Sequence, residues 1–274
     1  MCKCANVEIL LPIPTLAHYH ISTLAHYHIY TLAHFHISTL TCSMRYQHLF
    51  FDLDHTIWDF DRNSREALED IYASLSLRDA GVHDFDVFHS NYLVHNERLW
   101  EKYRNGRIRV DELRWKRMWF ALLDFKIGDE ALARKMGDAF LESLPTKTRL
   151  FPDTVPVLEW LRNKTYQLHL ITNGFEKTQH HKLRSSGIDG FFREVITSES
   201  SNSLKPHPEI FEYAILKTGA VKSECIMIGD TPEVDILGAR NAGIDQVYVN
   251  HINNPDPVQA TYTVRSLKEL EDIF

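Results

Sequence analysis

The chain is short of cysteine: it has four in 274 residues, and three of them, Cys2, Cys4 and Cys42, fall before residue 43. No disulfide framework is indicated, and Cys2-Lys3-Cys4 lacks the two-residue gap and the second pair that a zinc site needs. No apolar run approaches the roughly 20 residues of a membrane span. The pattern of a signal peptide, a basic region followed by an apolar stretch and a small-residue cleavage site, is also missing. Nor is there a basic excess: the formal net charge is −7, the wrong sign for a general nucleic-acid binder. These absences set three expectations: a reducing, cytoplasmic setting, no membrane partner and no nucleic acid polymer as partner.

What is present is an ordinary globular composition, 44% hydrophobic and 24% charged. One short repeat stands apart from it. An octad beginning Thr-Leu-Ala-His starts at Thr15, Thr23 and Thr31, and a fourth copy breaks off after Thr39-Leu40. Eight residues are too few for a solenoid unit. Its His-x-His pairs would suit a metal-binding arm, since both rings fall on one face of an extended strand. The reading adopted is a coding repeat ahead of the globular protein, with Met44 as the initiator. Residues 1–43 are therefore set aside as a disordered or non-native extension.

From Tyr46 onward, apolar strand-like runs alternate with amphipathic helices, which predicts an α/β fold with a parallel sheet. Strands are expected at 47–53, 167–172, 194–197, 225–229, 246–249 and 262–264. Helices are expected at 154–162, 208–217 and 266–274. Between the first two strands, 63–77, 84–105, 111–123 and 129–144 read as four more helices. A crossover needs only a dozen residues or so, so residues 60–148 are an inserted helical cap subdomain. The α/β core is then 44–59 with 149–274. An insertion leaving the first strand at its carboxyl end would cover the place where ligands of open α/β sheets bind.

Four polar signals fall at the carboxyl ends of predicted strands. The first is Asp52-Leu53-Asp54-His55-Thr56. Two carboxylates just past a buried strand are costly unless paired or bound to a cation. Asp52 is placed to attack phosphorus and Asp54 to pass a proton to the leaving oxygen. The second is Thr172-Asn173-Gly174, whose hydroxyl and backbone N–H groups suit a phosphoryl oxygen. The third is Lys205, stiffened by Pro206 and Pro208, which can neutralise phosphate and attacking carboxylate alike. The fourth is Gly229-Asp230, with Asp235 about one turn on. Asp230 completes a hard-oxygen site for Mg²⁺, and Asp235 sits in it or behind it. Each signal alone also has a plain reading: a turn, a solvated lysine, a helix cap.

Together, in this order, they resemble the haloacid dehalogenase-like hydrolase superfamily. Its motifs are Asp-x-Asp-x-Thr, a strand-end Ser or Thr, a Lys, and Gly-Asp-x-x-x-x-Asp, and the resemblance spans about residues 46–250. It implies a Rossmann-like core with a helical cap and a Mg²⁺ cofactor. It makes Asp52 the nucleophile and a metal ligand, and Asp54 the general acid/base with its carbonyl on the metal. Thr172, Asn173 and Lys205 would hold phosphate, and Asp230 and Asp235 would hold or support the metal. His55 departs from the small or acidic residue usual at its position. An acid at residue 54 favours phosphate esters of a small phosphorylated metabolite over carbon–halogen bonds. A sugar-phosphate phosphatase or phosphomutase remains an alternative, and a phospho-accepting signalling module a more distant one.

The closest likeness within the family is to nucleoside-monophosphate phosphatases. It rests on 56–60 and on a cap segment at 105–113. Trp58 and Phe60 are candidates to stack on a base, although aromatics near a cap hinge more often serve packing, and Arg107 is a candidate to steer an anion. Arg104, Arg109, Arg114 and Arg117 are further cap cations of the same kind, and most of the five read as the polar sides of helices. Trp100, Trp115 and Trp119 read as the core of the helical insertion, and His169 as a satisfied histidine inside the second strand.

Overall fold

The computed structural model describes residues 45–255 and 258–274; the octad repeat and Met44 lie outside the described residues. Six strands form one sheet: β1 (His48–Phe51), β2 (Gln167–Thr172), β3 (Glu194–Thr197), β4 (Cys225–Gly229), β5 (Asp245–Val249) and β6 (Tyr262–Val264). Their order is β3-β2-β1-β4-β5-β6, and every pairing is parallel. β1 and β4 are buried along their whole length, which is why they read as unbroken apolar runs rather than alternating ones.

The strand order reverses at β1, which pairs with β2 on one side and β4 on the other. A crevice opens at such a switch point, beyond the carboxyl ends of the strands. β1 is shorter than expected. Asp52 still donates its N–H to Ile228 O at 2.8 Å, but the chain then leaves the sheet, so 52–53 belong to the loop at the switch point.

Four helices lie between β1 and β2: α1 (Phe60–Ser74), α2 (Phe85–Arg104), α3 (Val110–Leu123) and α4 (Glu130–Ser143). Aspartates start three of them. Asp59 accepts from Arg62 N, Asp84 from Asp86 N and Val87 N, and Asp129 from Leu132 N, satisfying donors that a helix start leaves orphaned. The Asp59 cap is why α1 begins three residues before the expected 63. The chain enters and leaves this helical segment through one paired neck. Trp58 bridges Leu150 in antiparallel fashion, and Asp59 N donates to Arg149 O at 3.0 Å. Asn63 Nδ2 closes the neck by donating to both Asp59 O and Arg149 O at 2.8 Å.

The remaining α-helices are α5 (Thr154–Asn163), α6 (Glu176–Ser185), the single turn α7 (Ser198–Ser201), α8 (Pro208–Thr218) and α9 (Leu237–Asn241). The closing segment, expected as an α-helix over 266–274, is instead a 3₁₀ helix over Leu267–Asp272, capped by Ser266 and Glu269. Among the described residues no helix is long and apolar enough to cross a membrane.

Candidate active site

Asp52, Asp230 and Asp235 converge beyond β1 and β4. Each offers a carboxylate oxygen, and the three oxygens lie within 4.8 Å of one another. Lys205, 1% exposed, reaches between two of them: its Nζ donates to Asp52 Oδ1 at 2.6 Å and to Asp235 Oδ1 at 2.7 Å. Burial works against its charge, yet Asp235 and Asp52 hold its pKa above that of an ordinary lysine. Asp235 also accepts from Thr231 N at 3.0 Å, and Thr56 Oγ1 donates to Asp230 Oδ1 at 3.0 Å.

One ammonium does not balance three carboxylates. Burial pushes Asp52 well above the carboxylate range, and Asp235 and Asp230 push the same way against the pull of Lys205. Burial and Asp235 likewise lift Asp230 to about 6. A hard divalent cation among these oxygens would relieve that excess, so the donor set fits such an ion. Gly229 permits the arrangement: a Cβ there would lie 2.5 Å from Asp235 Cγ and Oδ2.

Asp54 faces a second group of residues, which the motifs did not announce. Lys182 Nζ donates to Asp54 Oδ1 at 2.6 Å, and Gln179 Nε2 donates to Asp54 Oδ2 at 2.9 Å. The same Gln179 Nε2 reaches Thr172 Oγ1 at 2.7 Å, and Gly174 N donates to that hydroxyl at 3.1 Å. With two donors on its oxygen, Thr172 keeps its own proton for a ligand. Burial opposes the charge on Asp54, but Lys182 and Gln179 outweigh it and hold the carboxyl below its usual range. Asn173 is turned toward Lys205: its Nδ2 donates to Lys205 O at 2.8 Å, and its Oδ1 accepts from Lys205 N at 2.7 Å. Its side chain therefore braces the lysine, while the residue still lines the cleft.

One cleft contains Asp52, Asp54, Thr172, Asn173, Lys205 and Asp235 in its lining. Of the expected substrate contacts, Phe60 lines it; Trp58 and Arg107 do not. Trp58 is fully buried, with Nε1 donating to Ser186 Oγ at 3.2 Å and Lys182 Nζ 4.2 Å from its ring centroid. It packs the floor beneath Asp54 instead of offering a face to a ligand. Arg107 is exposed and follows α2 in a turn through Gly106, φ +66°, which carries it away.

Trp100 packs against Leu99, Leu113 and Phe175, in keeping with the reading of it as core of the helical insertion. It also lines the cleft, stacked on Phe175 with centroids 5.8 Å apart, while Trp115 and Trp119 pack against the larger core. Arg117 is 3% exposed rather than solvated. His169 is buried with Nε2 3.2 Å from His48 Nδ1, but its own Nδ1 has no partner, so it is only half satisfied.

Residues 46–243 match the family of haloacid dehalogenase-like hydrolases. The chain belongs to that family. This hydrolase is 32% identical over 236 residues to the pyrimidine 5'-nucleotidase YjjG of Escherichia coli (strain K12), a match covering 84% of this chain and 99% of that protein. It is 32% identical over 232 residues to the pyrimidine 5'-nucleotidase PynA of Streptococcus pneumoniae (strain ATCC BAA-255 / R6), covering 84% and 95%. Among solved structures it resembles the HAD-hydrolase YfnB of Bacillus subtilis bound to magnesium, with a TM-score of 0.75 and 28% identity over 84% of this chain and 99% of that one. Dehalogenase structures share the fold, one with a TM-score of 0.67 at 19% identity.

Proposed function

We propose that this haloacid dehalogenase-like hydrolase is a Mg²⁺-dependent phosphomonoesterase that acts on a nucleoside monophosphate through an aspartyl-phosphate on Asp52. One observation carries the reading. Asp52 is held by Lys205 at 2.6 Å, and two residues on, Asp54 is held by Lys182 and Gln179. A nucleophile and a proton carrier are thus separately fixed at one strand end.

Lys205 engages Asp52 through Oδ1, leaving Oδ2 to attack phosphorus in line. Asp52, Asp230 and Asp235 would hold Mg²⁺, which supplies positive charge for the phosphate oxygens and the attacking carboxylate. Thr172 donates its hydroxyl proton to a phosphoryl oxygen. Asp54 passes a proton to the leaving oxygen as the bond from phosphorus to that oxygen breaks. It then takes a proton from the water that cleaves the Asp52 acyl-phosphate, freeing inorganic phosphate. The Lys182 contact favours the base form that this second step needs. A phosphate anion arriving beside Asp54 raises its proton affinity by like-charge repulsion, which supplies the acid form for the first.

Residues 60–148 act as a cap over the crevice, on a core of 44–59 and 149–274, and closure of the cap excludes bulk water from the acyl-phosphate. The test is phosphate release from a panel of phosphomonoesters with Mg²⁺ or with a chelator. Nucleoside monophosphates are expected to be hydrolysed in a Mg²⁺-dependent way. Activity confined to hexose phosphates, or isomer interconversion without free phosphate, would contradict the reading.

A further inference from the structure

Part of the cleft lining is taken up by the chemistry above; the part from α2, α3 and the start of α6 is not. Arg117 on α3 lines the cleft and is almost fully buried. Its guanidinium donates to Asn96 Oδ1 at 3.0 Å and lies over the Phe140 ring, 5.1 Å from the centroid. Tyr92 shares a further hydrogen bond with it. These three neighbours are uncharged, Lys182 nearby adds like charge, and the buried Nε has no hydrogen-bond partner. A buried cationic donor left in this state is costly unless a ligand brings an acceptor.

Asn96 on α2 lines the same cleft. Its Oδ1 accepts from Arg117 and, at 3.4 Å, from Tyr92 OH, which fixes the amide so that Nδ2 is the donor left over. Trp100 and Phe175 line the same cleft, stacked on each other with an interplanar angle of 29°. The Arg114 guanidinium lies 5.0 Å from the Phe175 centroid, so the aromatic wall is Trp100 backed by Phe175.

We propose that Arg117 and Asn96 are the donors that read the base of a pyrimidine nucleotide, with Trp100 and Phe175 as the wall against which its ring lies. This deepens the nucleotidase reading and rests on it. Uracil, cytosine and thymine share a ring carbonyl at C2 of a single ring; adenine has no carbonyl and offers only ring nitrogens as acceptors, and guanine carries its carbonyl at C6 of a larger, two-ring base. A site made of buried donors rejects a ligand that leaves them unpaired, and an aromatic wall rewards a flat ring. A leaving group that brought a carboxylate on a saturated chain would satisfy Arg117 but make no use of the wall.

The experiment compares kcat/KM for UMP, AMP and ribose 5-phosphate in the full chain and in Arg117→Met, Arg117→Lys, Asn96→Leu and Trp100→Ala, with a melting temperature for each. Uridine binding is measured separately by calorimetry. The wild type is expected to prefer UMP to AMP. The ratio of UMP to ribose 5-phosphate turnover is expected to fall roughly 10- to 100-fold in Arg117→Met, with part restored in Arg117→Lys, and uridine binding is expected to weaken in step. Should Arg117→Met fail to fold, Asn96→Leu and Trp100→Ala carry the same comparison. Equal losses on UMP and ribose 5-phosphate in the folded variants, or a wild type indifferent between UMP and AMP, would overturn the proposal. Hydrolysis of other phosphomonoesters without uridine binding would overturn it while sparing the phosphatase reading. Uridine binding that responds to Arg117, without hydrolysis of UMP, would support it and overturn the nucleotidase reading.

Discussion

Lys182 Nζ donates to Asp54 Oδ1 at 2.6 Å from a site 3% exposed at the side chain, with the Trp58 ring 4.2 Å below it. The pair fixes where the Asp54 carboxylate points and favours its charged form. Removing the lysine leaves a half-buried carboxylate with Gln179 as its remaining side-chain donor. Lys182→Met is therefore expected to lower kcat by roughly 10- to 100-fold, the loss of one charge-assisted hydrogen bond, with a smaller effect on KM. Lys182→Arg should recover part of it. Steady-state kinetics on the best phosphomonoester checks both.

Asp54→Asn keeps the shape, but its one acceptor oxygen can take a hydrogen bond from either Lys182 or Gln179 and not both, and it cannot carry a proton. Its expected cost is about 10²- to 10⁴-fold in kcat, the usual worth of a positioned acid or base. A substrate with a good leaving group, such as p-nitrophenyl phosphate, should lose less than an alkyl phosphate in the first half-reaction. Equal losses on the two would argue that Asp54 serves only to shape the site.

Gly229→Ala tests the geometry from the backbone side. A Cβ at 229 would sit 2.5 Å from Asp235 Cγ, so Asp235 must move, and Lys205 loses the fit of its second partner. A stability loss of about 1–3 kcal/mol is expected from overpacking. It should come with weaker Mg²⁺ activation, measured as the Mg²⁺ concentration for half-maximal rate.

Trp58→Ala separates packing from substrate binding. A fully buried tryptophan replaced by alanine should cost about 3–5 kcal/mol in chemical denaturation. A variant as stable as the wild type but unable to bind nucleotide would return Trp58 to the role of stacking residue.

His169 gives a pH signature. Burial, with smaller contributions from His48 and Arg193, lowers its pKa to about 3 from the ordinary 6.5. The unfolded chain then binds the proton that the folded one refuses. The stability tied to neutral His169 is whole above pH 6.5 and declines as pH falls from there toward 3, by up to about 1.4 kcal/mol per pH unit. His169→Leu should flatten that part of the stability curve, as read from denaturant midpoints at several pH values.

How much of this was legible in the sequence follows from what each residue must do. Asp52, Thr172 and Asp230 stand at the ends of apolar runs, where a polar residue is out of place and easily seen, and Lys205 stands out by the two prolines, Pro206 and Pro208, that follow it. The sheet was legible for the same reason, since β1 and β4 are apolar on both faces. The clamp on Asp54 and the cleft walls were hidden, because polar residues on helices usually face water. The signal was their register. Gln179 and Lys182 share the buried stripe of α6 with Leu183, Arg117 that of α3 with Leu113, Met118 and Ala121, and Asn96 that of α2 with Tyr92 and Leu99. A polar group on an apolar stripe needs a buried partner or a ligand. Trp58 was open to two readings, stacking or packing, because an aromatic beside such a loop suits either; the contacts of Lys182 and Ser186 with its buried ring accord with packing.

The central claim is that Asp52 carries the phosphoryl group. Its most direct test is an acid quench of the enzyme turning over a ³²P-labelled nucleoside monophosphate with Mg²⁺, followed by peptide mapping. The account predicts label on the peptide containing Asp52, released by hydroxylamine and absent in Asp52→Asn, which should also lose turnover. Label on another peptide, or phosphate release that continues unabated in Asp52→Asn, would contradict it.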